Sequence, residues 1–189
     1  MKATRVYTIE GIVLKRRAVG EADKILTIFS KQRGKIRVLA KGIRRIHSRR
    51  AGHVEVFSRV ILTLHSHGSM DIVSEAQAVI PGSLFESDAS RMAYAYCMSE
   101  LVDQLLPDHQ EHVDIFFLLA DGLTGLLRED SVDAWQDAMT YFIHELLWRL
   151  GFLPQSRHLS LNSMQSYIEH ITERRLRTWP LLTALTARA

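Results

Sequence analysis

Residues Gly34–Gly42, "GKIRVLAKG", alternate in character: Ile36, Val38 and Ala40 fall on one side of an extended chain, Lys35, Arg37, Leu39 and Lys41 on the other. Alternation with period two predicts a half-buried β-strand with an apolar inner face and a basic outer one. The neighbouring runs read the same way. "YTIEGIVLK" and "KILTIFS" are short, apolar and β-branched, and "MDIVSEAQAV" supplies another run. "VEVFSRVILTLHSH" puts Val54, Val56, Val60, Leu62 and Leu64 on one face, interrupted only by Ser58. Turn signals at "VGEAD", "KQRG" and "SHGSM" separate the runs.

Five short strands in residues 1–80 predict a small closed or nearly closed barrel. The OB-fold is one five-stranded architecture of this kind, and SH3-like barrels have a similar count. After Pro81-Gly82 the period becomes helical. Ala93, Cys97, Leu101 and Leu105 recur every fourth residue behind a cap at Ser87 or Asp88. A second helix is expected from near His109 to Leu127, with Val113, Phe116, Phe117, Ala120, Leu123 and Leu127 inward. A third starts near Ser131, carries Trp135, Met139, Phe142, Ile143, Leu146 and Leu150, and stops at Gly151. A last helical region spans about Ser163 to Arg177. The expected architecture is two-domain, β then α: a five-stranded barrel over 1–80 and an all-α bundle over 81–189.

The bulk charge of +3 conceals an asymmetry. Residues 1–82 carry 16 Lys/Arg against 6 Asp/Glu, a balance of +10, whereas residues 83–189 carry 8 against 15, a balance of −7. Halves so opposed are expected to meet different partners, the basic one a polyanion. No apolar run reaches the ~18 residues of a membrane span, and "MKATRVYTIEG" has no signal-peptide core. One cysteine, Cys97, rules out an internal disulfide and a multi-cysteine zinc site. A cytoplasmic location is the expectation. No phosphate loop of Walker or Rossmann spacing occurs. His65 and His67 read as solvated histidines at a hairpin end, His144 lacks a zincin partner, and Cys97 reads as a core residue. The carboxylates Glu129, Asp130, Asp133 and Asp137 gather about a helix N-terminus, where they complement the macrodipole. No enzyme, cofactor or metal is expected.

The charge concentrates in Lys15, Arg16, Arg17, Lys24, Lys31, Arg33, Lys35, Arg37, Lys41, Arg44, Arg45, Arg49 and Arg50. A basic run is ordinarily a solvated loop, and that accounts for any one of these residues. It accounts less well for 15 bases in residues 1–50 against Glu10, Glu21 and Asp23. Lys35, Arg37 and Lys41 also share one strand face, which attracts phosphates by Coulomb force and counterion release. Tyr7, Phe29 and Phe57 are the barrel half's only aromatics, so backbone-dominated, salt-sensitive binding is expected, with little base readout.

Residues 11–52 resemble the start of the RecO family of bacterial recombination mediators. The resemblance rests on the "GE-x-D" turn of Gly20, Glu21 and Asp23, on "G-K-x-R-x-x-A-K-G" from Gly34 to Gly42, and on "SHGSMDIVSEAQAV". "FIHELLWRLGFLP", Phe142 to Pro154, is similar to the family's "F-E-x-x-L-L-x-x-L-G-Y-x-P". The resemblance implies a five-stranded OB-fold barrel over 1–80 that binds nucleic acid, an all-α helical domain over 81–189 that binds partners, and a bacterial, nucleoid-associated DNA repair protein. Such a protein binds single- and double-stranded DNA and anneals complementary strands. It engages RecR and the single-strand-binding protein, so that RecA loads on coated DNA. Carried over, the DNA contact falls on Lys35, Arg37, Lys41, Arg44, Arg45, Arg49 and Arg50, flanked by Lys15, Arg16, Arg17 and Arg33.

Two departures stand out. Many members carry a four-cysteine zinc module where this chain has "QSRHLSLNSMQS", so no zinc is expected. An arginine common before the Phe of "F-E-x-x-L-L" is replaced by Thr140 and Tyr141. A cation for the acidic tail of the single-strand-binding protein then falls to Arg149, Arg157 or the group Arg174, Arg175 and Arg177. For those last three a solvated helix face is the simpler role. The alternatives from other classes are an OB-fold RNA-binding protein of translation or RNA maturation, and a repair adaptor working mainly through its helical half.

Overall fold

Five strands close into a ring in the N-terminal part of the computed structural model, which describes residues 6–42, 54–68, 70–157 and 159–186. They are β1 (Val6–Val19), β2 (Asp23–Ser30), β3 (Gly34–Ala40), β4 (Arg59–His65) and β5 (Asp71–Ile80). Their order around the ring is β1-β2-β3-β5-β4, and β1 closes it by pairing with β4. Every pairing is antiparallel except the short β3–β5 contact, Val38 with Asp71 and Leu39 with Ile72. Five strands in this order make an OB-type barrel; the alternation anticipated a barrel and the family resemblance its OB type.

The inward residues form one buried cluster that includes Ile9, Val13, Leu26, Ile28, Ile36, Val38, Val60, Leu62, Leu64 and Val73. Each such aliphatic side chain contributes ~1.5–3 kcal/mol when fully buried. One irregularity decides what the barrel presents outward. Val13 pairs with Ile28, yet Lys15 pairs with Thr27, so Leu14 is an extra residue at a β-bulge. The bulge reverses side-chain parity along β1. Lys15 and Arg17 take the outer face, opposite Thr27 and Ile25, while Arg16 sits opposite the inward Leu26.

The expected strand over residues 54–67 is shorter in the structure. Phe57 has φ 70°, which breaks the extended path, and β4 begins only at Arg59. Val54 still enters the core cluster.

The contacts divide into two units, and the barrel's unit takes in Leu106–Val113 as well as Met1–Leu84. Within it Asp108 bridges Lys35 in parallel fashion, and the His109 N–H donates to the Lys35 carbonyl at 2.9 Å. This explains why the helix expected from His109 starts at Val113 instead. The preceding residues are used against β3, and His109 itself has φ 63°, which no helix tolerates. Gly34, at φ 63°, is required here: a Cβ would lie 1.8 Å from the Gln110 carbonyl oxygen.

The second unit, Phe85–Leu105 with Asp114–Ala189, is helical. It contains α1 (Ala89–Leu105), α2 (Val113–Arg128), α3 (Val132–Arg149), α4 (Leu161–Thr172) and α5 (Trp179–Thr186). Asp88 caps α1 by accepting the Arg91 N–H at 2.8 Å, and Ser131 caps α3 by accepting the Ala134 N–H at 3.1 Å. The buried stripe of α2 runs through Ile115, Phe116, Leu119, Leu123 and Leu126. Val113 and Phe117, expected inward, lie on its flank and are exposed. The terminal helix expected to Arg177 ends at Thr172, where Glu173 turns left-handed at φ 53°, and a further helix follows at Trp179–Thr186 around Pro180. Glu100, buried on α1, accepts the N–H groups of Arg177 and Thr178 at 3.0 and 2.8 Å and so caps α5 from outside. No helix among the described residues is long and apolar enough to cross a membrane.

Candidate nucleic-acid interface

The outer face of β1, β2 and β3 carries an ordered set of cations. Lys15, Thr27 and Arg37 stand in one cross-strand row, and Arg17, Ile25 and Leu39 in the next. Adjacent strands lie ~4.8 Å apart, which sets Lys15 and Arg37 about 10 Å from each other across β2. Lys41 follows Arg37 and Leu39 with the same parity, just past the end of β3. All four cations are exposed, while Ile25 and Leu39 between them are half-buried. Chemically the face is a cationic strip on a shallow apolar floor, suited to a phosphodiester backbone. No aromatic ring among the described residues joins it. Phe29 has the same parity but is fully buried, Phe57 is buried, and Tyr7 lies beneath the Arg33 guanidinium.

Arg16, Arg33 and Lys35, also predicted to contact DNA, make contacts within the barrel's unit. Arg16, across from Leu26 in the register, is exposed and pairs with Glu55. Arg33 stacks on the Tyr7 ring at 3.8 Å, and the Tyr7 hydroxyl donates to Asp71. Lys35 lies on the expected face but is only 7% exposed, because residues 106–113 pack against this edge of β3. Its Nζ is 3.3 Å from Asp108 Oδ1, and Arg37 Nη2 is 3.3 Å from Asp108 Oδ2. Sequence reasoning missed Asp108 because no local signal ties a residue ahead of α2 to a strand so far back in the chain. Arg44, Arg45, Arg49 and Arg50 lie outside the described residues. The chain leading to them is pinned: Asp23 Oδ1 accepts the Gly42 N–H at 2.8 Å, with Gly42 at φ 65°.

The helical unit has a groove of about 420 Å³ between α2 and α3, lined by Phe117, Leu118, Tyr141 and Phe142 with Asp114, Asp121 and Arg149 at its edges. Arg149 donates to Glu145 Oε2 at 2.9 and 3.1 Å and to the Asp114 carbonyl at 2.9 Å. Arg149 is thus already paired with a carboxylate. Arg157, Arg174, Arg175 and Arg177 are exposed. Cys97 is fully buried, and burial pushes its thiol up to about 12, far from the range of a nucleophile. His65 ends β4 and His67 is exposed in the following turn. Among the described residues no group of three or more His, Cys, Asp or Glu is placed to hold a metal ion.

The family model for the N-terminal part of recombination protein O matches residues 1–81, and that for its C-terminal part matches residues 86–163. The chain belongs to the RecO family. It is 36% identical over 151 residues to the DNA repair protein RecO of Roseiflexus sp. (strain RS-1), covering 80% of this chain and 52% of the relative. With the RecO of Pelotomaculum thermopropionicum it shares 35% identity over 127 residues, 67% of this chain and 50% of the relative. With that of Heliobacterium modesticaldum the identity is 34% over 153 residues, 80% and 54% respectively. This RecO chain thus spans about half the length of the curated relatives it matches.

Proposed function

We propose that this chain is a non-enzymatic mediator of DNA repair and homologous recombination. It binds single- and double-stranded DNA, anneals complementary strands, and helps RecA load on DNA coated with the single-strand-binding protein, acting together with RecR. The observation that carries the reading is the co-facial set Lys15, Arg17 and Arg37 on β1–β3 of an OB-ordered ring, with the exposed Lys41 just past the end of β3. In OB-folds the strand 2–3 face and the loops beside it hold oligonucleotides. The relatives' designation as DNA repair proteins supports the same reading.

Annealing by such a face needs no acid, base or metal. The cations screen repulsion between two phosphate backbones, and base pairing supplies the free energy. An annealing assay on complementary oligonucleotides coated with the cognate single-strand-binding protein tests this: the chain accelerates duplex formation, and more so as salt is lowered. Preference for structured RNA over single-stranded DNA in competition titrations would overturn the assignment to repair.

A further inference from the structure

We infer that Asp108 is a built-in competitor for phosphate, holding Arg37 back from nucleic acid and so lowering the affinity of the interface. The inference rests on the nucleic-acid reading of the β1–β3 face and concerns how strongly that face binds.

One carboxylate is shared between two cations of different standing. Oδ1 lies 3.3 Å from Lys35 Nζ and Oδ2 3.3 Å from Arg37 Nη2, both longer than the ~2.7–2.9 Å of a strong charge-assisted bond. The Lys35 side chain is 9% exposed and that of Arg37 62%. A buried ammonium cannot give up its counter-charge without a large desolvation penalty, so Asp108 stays with Lys35. The Arg37 contact is solvated and screened, which makes it weak and replaceable.

Position strengthens the case. Asp108 is held at this place by backbone: it bridges Lys35, and the next residue's N–H bonds to the Lys35 carbonyl at 2.9 Å. Arg37 occupies the same cross-strand row as Lys15. A phosphate reaching that row meets Asp108 as a fixed negative charge already on the guanidinium. Binding there exchanges carboxylate for phosphate at Arg37 while Lys35 keeps its partner.

The test is a double-mutant cycle read by fluorescence anisotropy with a labelled oligothymidylate on the full chain. D108N is expected to bind roughly two- to fivefold tighter near 100 mM salt. In the R37A background the same substitution is expected to change nothing. Equal gains with and without Arg37 would mean a diffuse charge effect and overturn the inference. Because D108N removes the carboxylate beside the buried Lys35, K35M/D108N is measured alongside; it removes the buried ammonium together with the carboxylate and is expected to show the same gain. Wild-type affinity in both D108N and K35M/D108N sinks the inference alone. Absence of salt-dependent binding by the wild type and every variant sinks the nucleic-acid reading beneath it.

Discussion

Asp23 Oδ1 accepts the Gly42 backbone N–H at 2.8 Å, tying the start of β2 to the residue just past the end of β3. The bond joins the two sequence motifs that carry the family resemblance, the turn containing Asp23 and the strand ending at Gly42. It fixes the place from which the basic stretch 43–50 departs. Asp23→Ala is expected to lower stability by about 1 kcal/mol. In urea the midpoint falls while the m-value stays unchanged.

Gly34→Ala addresses the segment that packs on β3. The substitution forces a Cβ into a left-handed residue, costing ~1–2 kcal/mol, and directs it at the Gln110 carbonyl oxygen 1.8 Å away. Residues 106–113 must detach or the barrel must distort. Hydrogen exchange of the His109 amide, bonded to Lys35 O in the wild type, reports which. Loss of its protection is expected, and retained protection contradicts the packing described.

Glu100 is the polar anchor of the helical unit. It receives the N–H groups of Arg177 and Thr178, the Thr178 hydroxyl at 2.5 Å, and the Gln104 amide at 3.0 Å. Glu100→Ala strands these donors and is expected to cost on the order of 3 kcal/mol, with Glu100→Gln intermediate because one acceptor oxygen remains. Limited proteolysis should open first near α5.

Alkaline stability follows from Cys97. Burial is the main cause that raises its thiol from 9.0 to about 12, with Glu100 adding and the Thr178 hydroxyl opposing. A raised folded pKa means the unfolded chain loses its proton first. The stabilisation is therefore complete below pH 9 and is lost between 9 and 12, at up to ~1.4 kcal/mol per pH unit. Tyr94, raised from 10.0 to about 12 chiefly by burial, adds to the loss above pH 10. Urea midpoints measured from pH 8 to 11 should decline less steeply in Cys97→Ala than in the wild type.

The barrel and the change to helices were legible because both rest on periodicity. "GKIRVLAKG" gave β3 in full, and Pro81 marks the change of period. The outer face was only half legible. Alternation assigned Lys35 and Arg37 to one face of β3, as the register has them, but local pattern carries no notice of residues 106–113, which bury Lys35. Lys15 and Arg17 share parity with the inward Val13 in sequence, and only the bulge at Leu14 turns them out beside Arg37. A bulge is fixed by the pairing of two strands rather than by the residues of one. The shortfall at α2 has the same origin, since chain expected to begin a helix is spent on a distant strand.

The proposed function has Lys15, Arg17, Arg37 and Lys41 acting together as one phosphate-binding face. Its most direct test is the salt dependence of single-stranded DNA binding for the wild type and for K15E/R17E/R37E/K41E. With about four phosphates neutralised, log K against log salt should slope near −2.8 in the wild type. The variant should bind weakly at every salt concentration with a slope close to zero, while its far-ultraviolet circular dichroism is unchanged. A folded variant that keeps the wild-type slope would contradict the claim.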